Sequence, residues 1–297
     1  MTQITIRPLH SLDEMYEAVD LQQTYWGTDL ESIVPAHMLF TIASYGGHVL
    51  AAFDETKMIG VLIGLIGTNI HEVDRPAMAN LLVASKRMVV LQEYRNAGVG
   101  YKLKLAQREQ AIRQGIRLVT WTFDPLLAMN ANLNLRKLGG ICQTYLIDYY
   151  GTSERSGLAT LGASDRLVVE WWVTNRRVEE RLSGTRTNVT LAQYLDANAS
   201  LINPGEWLDN TLHPGMTLHE AEGTFALLEI PLNYTTLVKE DEGLAQAWQR
   251  HLREAFTDAL DKGFIVTDFL RGQSDGRERA FYLLSFSGGF ESGFGLS

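Results

Sequence analysis

The stretch Val89–Gly100, VVLQEYRNAGVG, has residue types that could bind an anion. A strand-like run ends in a polar turn, and two glycines, Gly98 and Gly100, precede a helical pattern. Glycines let a backbone come close to a ligand. The amides of residues 95–100 would lie at the positive end of a helix dipole, which suits a pyrophosphate. The motifs of a P-loop and of a dinucleotide fingerprint are absent. The alternative is an ordinary tight turn.

Hydrophobic patterning predicts the elements that would position this loop. A helix follows the capping box Ser11–Glu14, and further helices are predicted over 101–114 and 129–138. Strands are predicted over 4–7, 48–53, 58–66, 81–91, 118–123, 141–150 and 167–173. The resulting order, β, α, ββ, β, α, β, α, β, β, predicts an α/β fold with a mixed central sheet flanked by helices.

The rest of the chain has a different composition. Residues 176–224 are predicted to be a polar connecting segment, with a short helix within 191–201. Residues 225–297 are predicted to form a smaller C-terminal β-α-β-β unit. Its helix, over 240–262, has an apolar face, which could pack on the first domain, 1–175, or form a homodimer contact. The tail after 286 is predicted to be mobile.

Composition excludes several classes of protein. The chain has 297 residues, 45% of them hydrophobic, which is a globular profile. Its net charge of −9 argues against nucleic-acid and anionic-membrane partners. A single cysteine, Cys142, and the absence of a His-Glu-x-x-His pattern predict no metal site. The most apolar run, Met58–Ile70, is too short to span a bilayer, and no leader pattern is visible, so we expect a cytoplasmic protein.

Two motifs resemble those of a known family. Arg95–Gly100 resembles the Arg/Gln-x-x-Gly-x-Gly/Ala motif of the GNAT superfamily of N-acyltransferases. Met129–Gly140 resembles the family's next helix, which ends in Lys-Leu-Gly. The motifs cover about residues 80–150, and the element order extends the resemblance over 1–175. A finer likeness is to a little-characterised branch with the segment Trp121–Leu126, WTFDPL, and an extra C-terminal domain.

The resemblance implies acyl-CoA as co-substrate, either acetyl-CoA or succinyl-CoA, and no metal. It implies that the pantetheine arm binds strand-like to Val89, Val90 and Leu91. It also implies that the pyrophosphate is held by Arg95, Asn96, Ala97, Gly98, Val99 and Gly100, with Asn130 in the same cofactor site.

The resemblance also implies direct attack of an amine on the thioester, which needs a base and an acid. Many members of the family have a tyrosine that acts as the general acid at the position of Leu135. Tyr145, on the next strand, is therefore a candidate substitute for it. Asp124, at the end of a buried strand, is a candidate base or could orient the amine. The alternatives are a core tyrosine for Tyr145 and a helix cap for Asp124.

The strand that leads into the loop carries three further candidates. Ser85 is a candidate catalytic residue, and Lys86 and Arg87 could bind the carboxylate of a substrate. A partly exposed ion pair is the alternative for Arg87. We therefore expect an acyltransferase acting on a small amine, which could be an amino acid, since similar proteins have been linked with succinyl transfer to amino acids. A non-catalytic acyl-CoA-binding module and a protein-lysine acetyltransferase are the alternatives.

Overall fold

The computed structural model describes residues 4–27, 32–69, 74–151 and 164–287. Its contacts separate the chain into two units: Met1–Trp121 with Trp172–Thr174, and Thr122–Trp171 with Asn175–Ser297. This division differs from the predicted domains, 1–175, 176–224 and 225–297, which stay a prediction.

The first unit contains a sheet with strand order β1-β2-β3-β4-β5. Neighbouring strands are antiparallel except β4 and β5, which are parallel. The strands are β1 (Thr5–Pro8), β2 (His48–Asp54), β3 (Lys57–Thr68), β4 (Leu81–Val90) and β5 (Leu118–Phe123), whose last two residues belong to the second unit. The helices are α1 (Leu12–Trp26), α2 (Ala36–Ser44) and α3 (Val99–Arg113).

Strand β2 is buried on both of its faces, so the first unit has three layers. Val49 and Ala51 lie in an apolar cluster with residues of α1 and α2. Leu50 and Ala52, which point the other way, lie in a second cluster with Leu103 of α3. Alternation along the strand therefore packs α1 and α2 on one face of the sheet and α3 on the other.

The second unit contains a sheet with strand order β7-β6-β12-β13-β11-β8 and a separate hairpin of β9 and β10. Its strands are β6 (Ile141–Leu146), β7 (Arg166–Trp172), whose last residue belongs to the first unit, β8 (Ser200–Leu201), β9 (Glu206–Leu208), β10 (Thr211–His213), β11 (Phe225–Ile230), β12 (Phe264–Ser274) and β13 (Arg277–Phe286). Its helices are α4 (Ala128–Ala131), α5 (Arg176–Ser183), α6 (Leu191–Asp196), α7 (Tyr234–Glu240) and α8 (Glu242–Asp261).

Alternation also organises the packing of β13. Phe281 and Leu283 lie in an apolar cluster with Leu191 of α6. Tyr282, between them, packs its ring against Phe256 of α8, with ring centroids 5.2 Å apart. Helices α6 and α8 therefore bury opposite faces of this part of the sheet.

The predicted α/β class, with a mixed sheet flanked by helices, is confirmed. Over 1–175 the element order is the predicted one with α2 added. The capping box of α1 forms as predicted, because Ser11 accepts from the amide of Glu14 and Glu14 from that of Ser11. The C-terminal β-α-β-β order is also found, with its helical part divided into α7 and α8.

Several predicted boundaries are wrong. The helix predicted over 129–138 is α4 followed by a π-helical turn, Asn132–Lys137. The strand predicted over 141–150 ends at Leu146. The polar segment 176–224 contains α5, α6 and short strands as well as loops. The tail predicted to be mobile lies outside the described residues after Ser287. Among the described helices, none is long and apolar enough to cross a membrane.

A buried carboxylate holds together parts of the second unit that are distant in sequence. Asp268 of β12 is 2% exposed. Its Oδ2 accepts from Arg136 at 2.8 Å and from Arg181 at 2.6 Å. These arginines come from the π-helical turn and from α5, so one carboxylate links three elements.

We predict that Asp268→Asn lowers the free energy of unfolding by about 3–5 kcal/mol, because two guanidinium groups lose their shared counter-charge. The measurement is urea unfolding at neutral pH. The matched control is Glu278→Gln, whose 2.8 Å ion pair with Arg271 is about half exposed. This control should cost less than about 1 kcal/mol. Equal small losses in both variants would contradict the role of Asp268.

Candidate functional site

The loop between β4 and α3 turns the chain by means of two residues with positive φ. Asn96 has φ 64°, and Gly98, the residue that precedes the helix, has φ 79° and ψ 6°. Asparagine and glycine tolerate this left-handed region best. The glycine at position 98 is thus required by the backbone, and α3 begins directly after it at Val99.

The N-terminus of α3 has unsatisfied amides that face an open surface. Among the described residues, no side chain caps this end of the helix, and its first turn has no acidic residue. Residues 95–98 are exposed. A Cβ added to Gly98 would meet none of the described atoms within 4 Å. Uncapped amides, a helix dipole and open space together form a place where an anion can bind.

Contacts with β2 and β3 fix the position of the loop. The Tyr94 hydroxyl donates to Asp54 at 2.8 Å, and Lys57 pairs with Glu93 at 3.1 Å. The Leu91 amide donates to the Ile59 carbonyl at 2.9 Å. The loop is therefore anchored to the hairpin beneath it and is preorganised before any ligand arrives.

Strands β4 and β5 are paired over only part of their length. The pairing joins Leu82–Ala84 to Leu118–Thr120, whereas β4 continues to Val90 beside β3. After Ala84, β4 has no strand partner on its β5 side in the part of the chain that the structure describes. The Leu91 amide donates toward β3, and the backbone groups of successive residues in a strand point to opposite sides. The backbone N–H and C=O groups of Val90 therefore point to the open side, away from β3. This open edge of β4, Ser85–Val90, can pair with an extended ligand.

A buried lysine lies where the two strands separate. Ser85 and Trp121 are the first residues of β4 and β5 beyond the paired region. The Lys104 Nζ of α3 donates to the Ser85 Oγ at 2.9 Å and lies 3.5 Å from the centre of the Trp121 ring. It also donates to the Gln107 Oε1 at 3.3 Å. We call Ser85, Lys104, Gln107 and Trp121 the fork cluster.

Burial disfavours the charged form of Lys104 in the fork cluster. Lys104 is 3% exposed, and burial lowers its pKa well below the usual range. Ser85 is 8% exposed and donates to the Gln107 Oε1 at 3.0 Å. Among the described residues, no carboxylate pairs with Lys104. The cluster is therefore polar but has no counter-charge for an ammonium.

Patterning did not single out Lys104 and Gln107 because the predicted apolar face of the helix was partly wrong. The predicted face contained Leu103, Leu105, Ala106 and Ile112. The buried residues of α3 are Val99, Leu103, Lys104, Gln107 and Ala111, and Ile112 is 39% exposed. The spacing of these residues could have indicated their burial. Gln107 lies four residues after Leu103 and four before Ala111, and Lys104 lies three before Gln107, so all four share one face of the helix.

The other candidates on β4 differ in exposure. Lys86 is exposed and is the extra residue of a β-bulge opposite β3. The Arg87 guanidinium lies over the Trp26 ring, 4.5 Å from its centre. The Arg95 guanidinium lies 5.1 Å from the centre of the Tyr25 ring, and its Nε donates to the Val90 carbonyl at 3.3 Å. These two arginines thus contact neighbouring aromatic residues at the end of α1.

Three predicted site residues belong to the second unit. Asp124 accepts from the Leu126 amide at 2.9 Å, and burial raises its pKa. The Tyr145 hydroxyl donates to Asp165 at 2.8 Å, and burial raises the pKa of this phenol. Asn130 is exposed on α4. The proposed roles of these three residues stay predictions.

Comparison with protein-family models finds no match, and comparison with curated proteins finds none. The chain is similar to a solved GNAT-family acetyltransferase from Streptococcus pneumoniae at 16% identity and TM-score 0.44, over 57% of this chain and 98% of that chain. The chain is also similar to a ribosomal-protein-S18-alanine N-acetyltransferase from Escherichia coli, at 16% identity and TM-score 0.43, over 58% of this chain and 94% of that chain. A chain of the NatC complex bound to Gag peptide and CoA is similar at 14% identity and TM-score 0.44, over 58% of this chain and 99% of that chain. Function must therefore be argued from the site itself.

We predict that Tyr94→Phe lowers the midpoint of chemical denaturation, because Asp54 loses the hydroxyl that donates to it. Chemical denaturation measures this shift. The control is Tyr45→Phe, since Tyr45 is 84% exposed and should be insensitive. An unchanged stability in Tyr94→Phe would show that the hydroxyl does not anchor the loop.

Proposed function

We propose that this chain is a GNAT-type N-acyltransferase that moves an acyl group from acyl-CoA to the amine of a small molecule. The observation that carries the proposal is the continuity of two binding surfaces. The open edge of β4 leads directly into the uncapped N-terminus of α3. One extended molecule with amides in its arm and phosphates at one end fits both surfaces.

The two surfaces fit different parts of coenzyme A. The amides at Gly98–Tyr101 would hold the pyrophosphate, with Arg95 nearby to add positive charge. The pantetheine arm carries amide groups at intervals, and the open edge of β4 beside Val90 offers backbone groups to them, although the Val90 carbonyl would first have to exchange its hydrogen bond from Arg95. The thioester would then lie further back along β4, toward Ser85.

The transfer itself needs modest chemistry once both substrates are positioned. The amine nitrogen attacks the thioester carbon, the C–S bond breaks, and the amine proton must reach a base while the thiolate gains a proton. We propose Asp124 as base, because burial raises the pKa of its carboxyl, which is the direction that makes a carboxylate a better proton acceptor. Tyr145 as acid would have to give up its hydrogen bond to Asp165.

For the acceptor we propose a small amine, with an amino acid as the class that Lys86 and Arg87 suit. Guanidinium groups bind carboxylates by paired hydrogen bonds. The acyl group would be acetyl or succinyl. A cytoplasmic location and a homodimer contact through the C-terminal unit stay part of the proposal.

One observation favours a second candidate, an acyl-CoA-binding module without turnover. Leu135 is fully buried in the π-helical turn, so the position implied for the acid has no hydroxyl. Release of free thiol from acyl-CoA with any amine of a broad panel would exclude this alternative.

We predict that CoA and acyl-CoA raise the temperature of unfolding. At about 100 times the dissociation constant a ligand adds about 2.7 kcal/mol, which corresponds to roughly 5–11 °C here. Thermal unfolding with CoA, acetyl-CoA and succinyl-CoA measures it, and NADH is the control. If no CoA compound shifts the transition, the loop is only a turn and the proposal fails.

We predict that Gly98→Ala weakens CoA binding, whereas Gly115→Ala does not. Both glycines flank α3 with φ of 79° and 73°, and neither has a described atom within 4 Å of an added Cβ. Each variant should lose about 1–2 kcal/mol of stability from left-handed strain. Only the Cβ at position 98 would occupy the anion site. Equal CoA affinity in both variants, measured by isothermal titration calorimetry, would contradict this location.

A further inference from the structure

More guanidinium groups surround the buried carboxylate of Asp268 than it can neutralise. Its Oδ2 accepts from Arg136 and Arg181, and its Oδ1 accepts from the Phe269 amide at 2.8 Å, so both oxygens already have partners. Two further arginines lie close enough for their charges to act on this group. We call the four residues Arg136, Arg177, Arg181 and Arg186 the arginine cluster.

Helix α5 and the loop that follows it bring most of the cluster together. Arg177 and Arg181 are four residues apart on α5, so they lie on the same face of the helix. The Arg186 amide donates to the Glu180 carbonyl at 3.0 Å, which folds the loop back onto α5. The Arg181 Nη1 donates to Asn188, further along the loop, at 2.9 Å. Local backbone structure therefore holds these cations near one another.

The charges of the cluster are not balanced. Burial and the charge of Arg186 lower the pKa of Arg177 to about 10. Burial also lowers the pKa of Arg181, where Asp268 opposes the shift and Arg186 adds to it. A guanidinium group keeps its charge at neutral pH even so, and the cluster cannot relieve its repulsion by losing a proton. One carboxylate thus stands against four guanidinium groups.

The cluster is open to solvent. The side chain of Arg136 is 23% exposed, and Arg177 and Arg186 are partly exposed. The side chain of Arg186 makes no hydrogen bond or ion pair with any residue that the structure describes. Its neighbours in the loop, Thr185 and Thr187, are exposed. An anion can therefore approach Arg186 directly from solvent, and no enclosed cavity is needed.

We propose that the arginine cluster binds the phosphate group of a small molecule, with Arg186 and Arg177 as its contacts. Guanidinium groups bind phosphate oxygens by paired hydrogen bonds. A phosphate group also has the multiple negative charge that this excess of cations calls for, whereas a single carboxylate would neutralise less of it. All four arginines belong to the second unit, so the site is separate from the loop proposed for the donor.

The test is isothermal titration calorimetry of inorganic phosphate, pyrophosphate and acetate in a phosphate-free buffer of low ionic strength. It compares the unchanged full chain with Arg186→Gln, Arg176→Gln and Gly98→Ala. Arg176→Gln is the matched control, because it removes the same charge from α5 at a side chain that is 85% exposed and pairs with Glu180 at 2.6 Å. Gly98→Ala blocks the N-terminus of α3 and so distinguishes binding there. Circular dichroism checks that each variant is folded.

Pyrophosphate should bind more tightly than phosphate, and acetate should give no measurable heat. Arg186→Gln should weaken pyrophosphate binding at least about tenfold, because a charge-assisted hydrogen bond is lost. Arg176→Gln should leave the affinity unchanged, and Gly98→Ala should keep this binding event even where it removes a second one. Without ligand, Arg186→Gln should raise the midpoint of urea unfolding, because Arg177 and Arg181 lose a repelling neighbour.

Three outcomes overturn the proposal. If Gly98→Ala abolishes pyrophosphate binding and Arg186→Gln does not weaken it, the anion binds at α3 and the arginine cluster is not a phosphate site. If Arg176→Gln weakens binding as much as Arg186→Gln, the effect is one of overall charge. If Arg186→Gln lowers the midpoint of urea unfolding, the arginine supports the fold. None of these results depends on CoA, so the proposed function stands or fails separately.

Discussion

The separation of β4 from β5 after a few residues is the constraint on which the rest of the first unit depends. Backbone N–H and C=O groups need partners, and an exposed sheet edge invites unwanted pairing. Here β4 pairs with β3 throughout and with β5 only up to Ala84. Its unpaired edge ends at a loop that Tyr94 anchors and that Gly98 turns into α3. A ligand with an amide-bearing arm would complete the edge as a strand would.

The fork cluster is difficult to explain by stability alone. A buried amine without an anion costs free energy, and an apolar side chain of similar volume at position 104 would avoid that cost. Ser85 and Gln107 already hydrogen-bond each other, so they do not require a lysine.

The sequence predicted elements with strong periodicity and missed positions that tertiary contacts decide. Strand 118–123 was predicted with its observed bounds, and the helix of α8 to within two residues, because burial imposes clear patterns there. Helix α2 was missed because it has only nine residues and no side chain caps its N-terminus. The loop at Gly98 was predicted from two glycines and a strand-helix order. Lys104 was not, since a lysine within an amphipathic pattern is ordinarily on the solvent face.

The net charge of −9 does not conflict with binding a polyanion, because the two act over different distances. Charges farther away than about 8 Å are largely screened at physiological ionic strength. An anion at the loop would instead be bound by backbone amides and the helix dipole, which act within the first turn. Side-chain acceptors already occupy the N-termini of α1, α5 and α8 through Ser11, Asn175 and Asp241. The N-terminus of α3 differs in having glycine there, so its amides are still available to a ligand.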